Sequence, residues 1–101
     1  MNIKLKFENE LIEKTLRAKK ECGYNPTRYN QMIAQYGGLA TAKKLIQKSI
    51  ITNEASEGYN TLLLLGRVDL SMEESVVKPE YSELFNTDEI RYCENLLAGK
   101  D

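Results

Sequence analysis

Residues that start and stop helices recur along this chain at short intervals, and they constrain its fold more than any other feature. An Asn-Pro pair stands at 25–26, a Gly-Gly pair at 37–38, a Ser-x-x-Glu pattern at 71–74 and an Asn-x-x-Glu pattern at 86–89. Asn and Ser side chains accept hydrogen bonds from the unpaired amides at a helix start, Pro suits the first turn, and Gly takes the backbone conformation that ends a helix. The sequence therefore predicts several short helices, the second of them capped by Asn25.

The apolar residues between these positions recur with the period of a helix. The first helix is predicted over residues 9–22. A later helix, starting at Ser56, is expected to be buried on more than one side, because Leu64 and Leu65 extend its apolar surface around the cylinder. Its inward residues are predicted to be Tyr59, Leu62 and Leu63. We expect an all-α fold, a compact bundle of five to six short helices that forms a single domain over residues 9–101.

Residues 1–8 follow a different pattern. Ile3, Leu5 and Phe7 alternate with polar residues, which is the period of a strand, and no second strand-like segment is present to pair with them. The sequence predicts a short extended N-terminal arm whose unpaired backbone groups suit pairing with another chain. An early helical turn is the alternative, and the sequence leaves open whether the arm is ordered.

Length and composition place the chain among folded single-domain proteins. It has 101 residues, of which 42% are hydrophobic and 29% charged, and only two prolines. This is enough for one core and too little for two. The chain has no run of about 18 apolar residues, and its start does not resemble a secretory signal. We therefore expect a cytoplasmic protein with no membrane contact.

The residue types of common catalytic and metal sites are missing or have a structural explanation. The absence of histidine excludes Ser-His and Cys-His nucleophile pairs, and Cys22 and Cys93 do not form a Cys-x-x-Cys motif. Asp69 and Glu73 stand four residues apart, but both lie near a helix start, which favours negative charge. We predict that the chain is not an enzyme and has no catalytic residues, metal site or cofactor. Whether the two cysteines ever pair is left open.

Charge is distributed unevenly along the chain. Residues 1–50 carry ten Lys and Arg against four Asp and Glu, a net charge of +6, and residues 51–101 carry four against eleven, a net charge of −7. Such polarity favours a charged partner, or neutralisation between two halves that face each other. A helical nucleic-acid-binding domain is therefore an alternative function, although the overall net charge of −1 weakens it. Its predicted contacts are Arg17, Lys20, Arg28, Lys43, Lys44 and Lys48.

Five short motifs are spread between Gly23 and Ala98. They are Tyr-Asn-Pro-Thr at 24–27, Met-Ile-x-x-x-Gly-Gly-Leu at 32–39, Ser-x-Gly-Tyr at 56–59, Gly-Arg-x-Asp-Leu-Ser-x-Glu at 66–73 and Leu-Phe-x-x-x-Glu at 84–89. This combination resembles a family of small, largely uncharacterised bacterial helical domains. The resemblance implies a stand-alone or accessory domain, in some cases near nuclease or defence proteins, and it transfers no catalytic residue. Leu64 and Leu65 stand where that family carries polar residues.

These observations favour a non-catalytic protein-interaction or accessory module. The resemblance implies that its setting is a bacterial or phage conflict system. The partner is predicted to be another protein or a second copy of the chain, and the sequence leaves open which. The predicted interface residues are Ile3, Leu5, Phe7, Leu64 and Leu65.

Overall fold

The computed structural model describes residues 2–99 and shows an all-α fold that is 80% helical, with no strand in that part of the chain. The bounds of its six α-helices are Ile3–Cys22 (α1), Thr27–Tyr36 (α2), Gly38–Thr52 (α3), Glu57–Leu64 (α4), Met72–Val76 (α5) and Thr87–Leu97 (α6). Two 3₁₀ turns, Val68–Leu70 and Pro79–Leu84, lie on either side of α5. The predicted bundle of five to six short helices is confirmed.

Helix α1 begins at Ile3, so the predicted extended arm over residues 1–8 is wrong for the residues that the structure describes. Asn2 starts the helix, because its Oδ1 accepts hydrogen bonds from two backbone amides of the first turn at 2.8 and 3.4 Å. The domain boundary predicted between residues 8 and 9 falls inside α1. Met1 lies outside the described residues.

The alternation that suggested a strand conceals a helical stripe. Phe7 and Leu11 are spaced four residues apart, and they are 0% and 1% exposed. Ile3, four residues earlier, packs against the same core. Leu5 is 49% exposed, because residues two apart lie on opposite sides of a helix. The prediction of Phe7 as an interface residue is therefore wrong: its ring is inside the fold.

Phe7 lies in the main core and joins the start of the chain to its last third. Its ring contacts Tyr81 edge to face, with 5.1 Å between centroids and 77° between planes, and Phe85 in the same way at 5.3 Å and 68°. Aromatic pairs prefer this geometry. The other buried residues of this core are Leu11, Ile33, Ala42, Ile46, Met72, Val76 and Cys93.

The glycine pair between α2 and α3 serves two different purposes. Gly37 has a φ of 88°, which ends α2 in a conformation that favours glycine. Gly38 lies against α1, where an added Cβ would stand 2.8 Å from Glu8 Cα. The backbone N of Gly38 donates to Glu8 Oε1 at 2.7 Å. Helix α3 thus starts in direct contact with α1, and Glu8 fills the role of its N-cap.

The predicted helix starts are mostly confirmed. Ser56, Ser71 and Asn86 cap α4, α5 and α6 with their side chains, and Asn86 forms the reciprocal capping box with Glu89. The predicted cap by Asn25 is wrong. Pro26 occupies the N-cap position of α2 with no side-chain bond, and the Oδ1 of Asn25 instead accepts a hydrogen bond from Asn30 Nδ2 at 3.2 Å.

A second, smaller cluster of buried apolar side chains attaches α4 to the rest of the fold. Leu62 of α4 packs there with Ala18 of α1 and with Leu70, and the partly buried Cys22 and Tyr24 lie beside them. Helix α4 therefore packs outside the main core, near the C-terminal end of α1.

Substitution of Gly38 by alanine should destabilise the fold by about 1–3 kcal/mol, because the added methyl group would force α1 and α3 apart. Urea unfolding of the two proteins measures this difference. The matched control is Gly58→Ala in α4, where the added Cβ would be 3.8 Å from the Tyr24 hydroxyl, an ordinary contact. Alanine there should be neutral or stabilising by up to about 1 kcal/mol. Equal stability of the two variants would contradict the close crossing of α1 and α3.

Candidate functional site

Part of the charge polarity of the sequence is used in ion pairs within the fold. The ion pairs that join the two halves of the chain are Lys6–Glu80, Lys14–Glu74, Lys43–Glu89, Arg67–Glu21 and Lys78–Glu10. Of the two explanations that the sequence left open, neutralisation between facing halves is therefore visible in the structure. The surface that remains for a charged partner is smaller than the sequence suggests.

Lys43, a predicted nucleic-acid contact, supports the core instead. Its Nζ donates to Glu89 Oε1 at 2.7 Å and lies 5.1 Å from the centroid of the Phe85 ring. Glu89 is 1% exposed, and it also accepts from Gln47 Nε2 at 3.0 Å and from the backbone N of Asn86 at 2.9 Å. Burial raises the pKa of Glu89, but these hydrogen bonds outweigh it and hold the pKa below the ordinary 4.5.

The other predicted nucleic-acid contacts differ in whether they interact with side chains of the protein itself. Arg17 Nε pairs with Glu21 on the same helix at 3.1 Å, and Lys44 Nζ lies 4.7 Å from the centroid of the Tyr36 ring. The exposed bases of α1 to α3 that make no ion pair within residues 2–99 are Lys4, Lys19, Lys20, Arg28, Lys44 and Lys48.

Three consecutive leucines at the end of α4 are exposed to solvent. Leu63 is 54% exposed, Leu64 is 89% exposed and Leu65 is 45% exposed, and we call these three residues the leucine ridge. The predictions that Leu63 faces inward and that α4 is buried on several sides are wrong. This eight-residue helix offers one face, that of Tyr59 and Leu62, to the rest of the fold.

The predicted interface residues near the N-terminus do not join the leucine ridge. Leu5 is exposed, but α4 packs beside Ala18, and a separation of 13 residues along a helix is about 20 Å. Ile3 is partly buried against the main core. Sequence reasoning also missed other exposed apolar side chains, whose only signal is an apolar residue away from the inward stripe. They are Ile12, Leu16, Ile50 and Ile51. Tyr36 is also exposed, although it stands at the inward spacing of α2, three residues after the buried Ile33.

Glu10 is the centre of a polar network between α1 and the second half of the chain. Its Oε1 accepts from the Tyr81 hydroxyl at 2.9 Å, and its Oε2 accepts from Ser75 Oγ at 2.6 Å and from Lys78 Nζ at 2.9 Å. Burial raises the pKa of Glu10, but these donors outweigh it and the net shift is downward. A carboxylate held by three donors serves the structure rather than proton transfer.

Asp69 and Glu73, the carboxylate pair considered from the sequence, do not converge. The exposed Asp69 binds Arg67 through two bonds of 3.0 and 3.1 Å. Glu73 is 2% exposed and accepts from Ser56 Oγ at 3.0 Å. In the described part of the chain, no group of three or more Cys, Asp or Glu residues is arranged to hold a metal ion.

The two cysteines are unpaired and belong to different clusters. Cys93 is fully buried in the main core, where burial raises the pKa of its thiol. Cys22 lies beside the second cluster, and its Sγ accepts from Arg67 Nη1 at 3.8 Å.

Two shallow clefts open on the surface. One, of about 240 Å³, is lined by Gln47, Ile50, Ile51, Asn86, Asp88 and Glu89. The other, of about 280 Å³, is lined by Lys6, Asn9, Glu10, Glu13 and Tyr81. The more buried acid of each cleft, Glu89 in the first and Glu10 in the second, already accepts hydrogen bonds from other residues of the protein. Thr41 Oγ1 is the one buried side-chain polar atom in residues 2–99 without a hydrogen-bond partner, and it lines neither cleft.

No protein family, curated protein or solved structure compared with the chain matches it. The resemblance to small bacterial helical domains therefore stays a prediction. Within residues 2–99, no helix has both the length and the apolarity needed to cross a bilayer. The leucine ridge and the unpaired bases of α1 to α3 are the surfaces from which a function can be argued.

Substitution of Lys43 by alanine should destabilise the fold by about 2–3 kcal/mol, because it leaves the buried Glu89 without its cation. The figure is below that of a fully buried pair, since the Lys43 side chain is 33% exposed. Lys44→Ala is the matched control and should cost less than about 1 kcal/mol.

The pH dependence of unfolding checks the same pair. The pKa of Glu89 is lower in the folded state than 4.5, so its contribution is present above that pH and is lost as the pH falls through the folded-state pKa. The difference in the free energy of unfolding between the native protein and Lys43→Ala should therefore decrease in acid. A difference that is constant in acid would contradict the role of Lys43.

Proposed function

We propose that this chain is a protein-interaction module that acts without catalysis, and that the leucine ridge is the centre of its interface. The observation that carries this proposal is the 89% exposure of Leu64, the highest among the exposed large apolar side chains of residues 2–99. Its two neighbours in sequence are also exposed. Exposed large apolar side chains grouped at one end of a helix commonly mark a contact with another molecule.

Leu64, the most exposed residue of the leucine ridge, buries little surface within the fold. Leu62, which is 6% exposed, packs α4 in the second cluster, and Tyr59 of the same helix is buried at 5% exposure. Burial of Leu64 against a partner would contribute about 2 kcal/mol to the free energy of binding, because it removes the apolar side chain from water. Substitution of Leu64 should therefore affect binding and leave folding unchanged.

The absence of catalysis is supported by the hydrogen bonds that already occupy the side chains able to take part in acid–base chemistry. Glu10, Glu89 and Asp69 are each bound by two or more donors, and Lys14 gives its proton donors to Glu74 and to a backbone carbonyl. A cytoplasmic location is also part of this proposal, because the two free thiols suit a reducing compartment. The setting in a bacterial or phage conflict system rests on the sequence resemblance.

The first test is light scattering after size-exclusion chromatography over a range of protein concentrations. A second copy of the chain is the simplest partner, and we expect a dimer that persists in high salt, because its contact is apolar. Leu64→Lys should convert the dimer to a folded monomer. Ile51→Lys is the matched control, since Ile51 is 84% exposed but lies at the end of α3, and it should leave the dimer intact.

If the native protein is a monomer, the proposed partner is a different protein, and the next experiment searches for it. In that case, quantitative affinity enrichment should recover a partner with the native chain and with Ile51→Lys but not with Leu64→Lys, and purified components should reproduce the binding. A partner or dimer that Leu64→Lys retains at full affinity contradicts the proposal.

Nucleic-acid binding is the second candidate, favoured by the exposed bases of α1 to α3 that make no ion pair. Lys44 and Lys48 lie on α3, one turn apart, and Lys20 and Arg28 lie on the two preceding helices. Lys43 is excluded from this set, because it binds Glu89.

This candidate predicts measurable binding to a short DNA duplex at low salt, with an affinity that falls steeply as salt is added. The double variant Lys44→Glu, Lys48→Glu should abolish the binding. Arg91→Glu is the control, because Arg91 is an exposed base without an ion pair in the second half of the chain. Fluorescence anisotropy of a labelled duplex measures all three proteins. If the double variant and the control weaken DNA binding equally, the loss reflects net charge rather than a specific surface, and this candidate is rejected.

A further inference from the structure

Glu73 is a buried acid without a cationic partner in the described structure. It is 2% exposed, and one side chain reaches its carboxylate, the Ser56 hydroxyl, which donates to Oε2 at 3.0 Å. The charge of Lys14 acts on it, but Lys14 Nζ donates to the carbonyl of Ser71 at 3.0 Å and to Glu74 Oε1 at 2.6 Å. A carboxylate in this position is costly to ionise.

The other groups that face Glu73 do not offset its charge. Lys14 faces it from α1, Tyr29 from α2, Ser56 and Tyr59 from the start of α4, and Tyr92 and Cys93 from α6. The tyrosines and the thiol are neutral weak acids near neutral pH, and a charge on Glu73 raises the pKa of each. Burial raises the pKa of Glu73 by more than its own backbone N–H, the Ser56 hydroxyl and the charge of Lys14 together lower it.

The bond from Ser56 ties this acid to the start of α4. The same Ser56 hydroxyl that donates to Glu73 accepts from the backbone N of Tyr59 at 3.2 Å, as the N-cap of the helix. The remaining attachments of α4 are few: the Tyr59 hydroxyl donates to the carbonyl of Leu96 at 3.3 Å, and Leu62 packs in the second cluster. Helix α4 is therefore a peripheral element, of the kind that opens before the core does.

We propose that Glu73 is a proton-controlled latch for α4: the protonated carboxyl keeps α4 docked, and its ionisation releases α4 and the leucine ridge that α4 carries. The release of α4 stands on the contacts of Glu73 alone. The consequence for binding a partner rests on the proposed function of the leucine ridge.

The direction of the pH effect follows from where the proton is held more tightly. When α4 opens, Ser56 and Tyr59 leave, water reaches the carboxyl of Glu73, and its pKa returns toward the ordinary 4.5. Below that pH both forms hold the proton, and docking is strongest. As the pH rises, the open form loses its proton first, so opening gains about tenfold per pH unit until the pH reaches the higher pKa of the docked form.

Hydrogen exchange followed by mass spectrometry tests the latch on the full chain. Protection factors, corrected for the intrinsic effect of pH on exchange, are compared for peptides of α4 and for peptides of α3 between about pH 5 and pH 8. We expect a measurable loss of α4 protection over this range, while that of α3 changes little. Glu73→Gln stays neutral and can still accept from Ser56, so it should keep α4 protected at every pH.

The control is Glu83→Gln, which removes an exposed carboxylate from the Pro79–Leu84 turn and should follow the native protein. The latch is overturned if α4 protection in the native protein does not change with pH, or if Glu73→Gln shows the same change. Should Glu73→Gln fail to fold, carbon-detected NMR titration of the native protein replaces it. A carboxyl midpoint of Glu73 above the ordinary 4.5 supports the latch, and an equal or lower midpoint overturns it.

The exchange experiment contains no partner, so its result is separate from the test of the leucine ridge. A pH-dependent α4 together with partner binding that Leu64→Lys does not weaken would leave the latch standing and remove the proposed function. Constant α4 protection together with binding that Leu64→Lys abolishes would do the reverse.

Discussion

The close contact between α1 and the start of α3 sets the arrangement of the rest of the molecule. Gly38 has no side chain, so the backbone of α3 approaches Glu8 more closely than any other residue would allow, and the Glu8 carboxylate caps α3 at 2.7 Å. A 20-residue helix and a 15-residue helix are thereby held together near their N-terminal ends. Phe7, next to Glu8, is then placed within the core, where Tyr81 and Phe85 close over it.

Electrostatic interactions add to this apolar frame by joining segments far apart in the chain. Glu10 gathers Tyr81, Ser75 and Lys78 around one carboxylate, and Glu89 gathers its donors around another. Both acids have pKa values below the ordinary range, because donors outweigh burial. Three of the ten bases in the first half of the chain, Lys6, Lys14 and Lys43, pair with acids of the second half within residues 2–99, so part of the charge polarity is neutralised within the fold. The basic segment therefore weighs less as a sign of nucleic-acid binding than its charge count suggests.

Helix α4 differs from the other helices in ways that suit a functional role. It packs in the smaller cluster, exposes three leucines, and begins at a serine that is shared with Glu73. In contrast to Glu10 and Glu89, Glu73 is buried with a raised pKa. Burial of an acid without a cation costs free energy, and exposed leucines add no stability to the isolated fold. The leucines lie on α4 and the acid lies on α5, and the bond from Ser56 joins the two at the start of α4.

The helical class, most helix starts and the inward stripes were predictable, because they depend on residues within a turn or two of each other. Asn86 with Glu89, and the stop at Gly37, are such local signals. The extended arm was predicted wrongly because seven residues are too few to distinguish strand alternation from a helical stripe that continues to Leu11. The contacts of Lys43 with Glu89, of Glu8 with Gly38 and of Ser56 with Glu73 join residues 17 to 46 positions apart. They exist because particular helix faces meet, and so the folded arrangement alone assigns Lys43 to the interior, Leu63 to the surface and Glu73 to the base of α4.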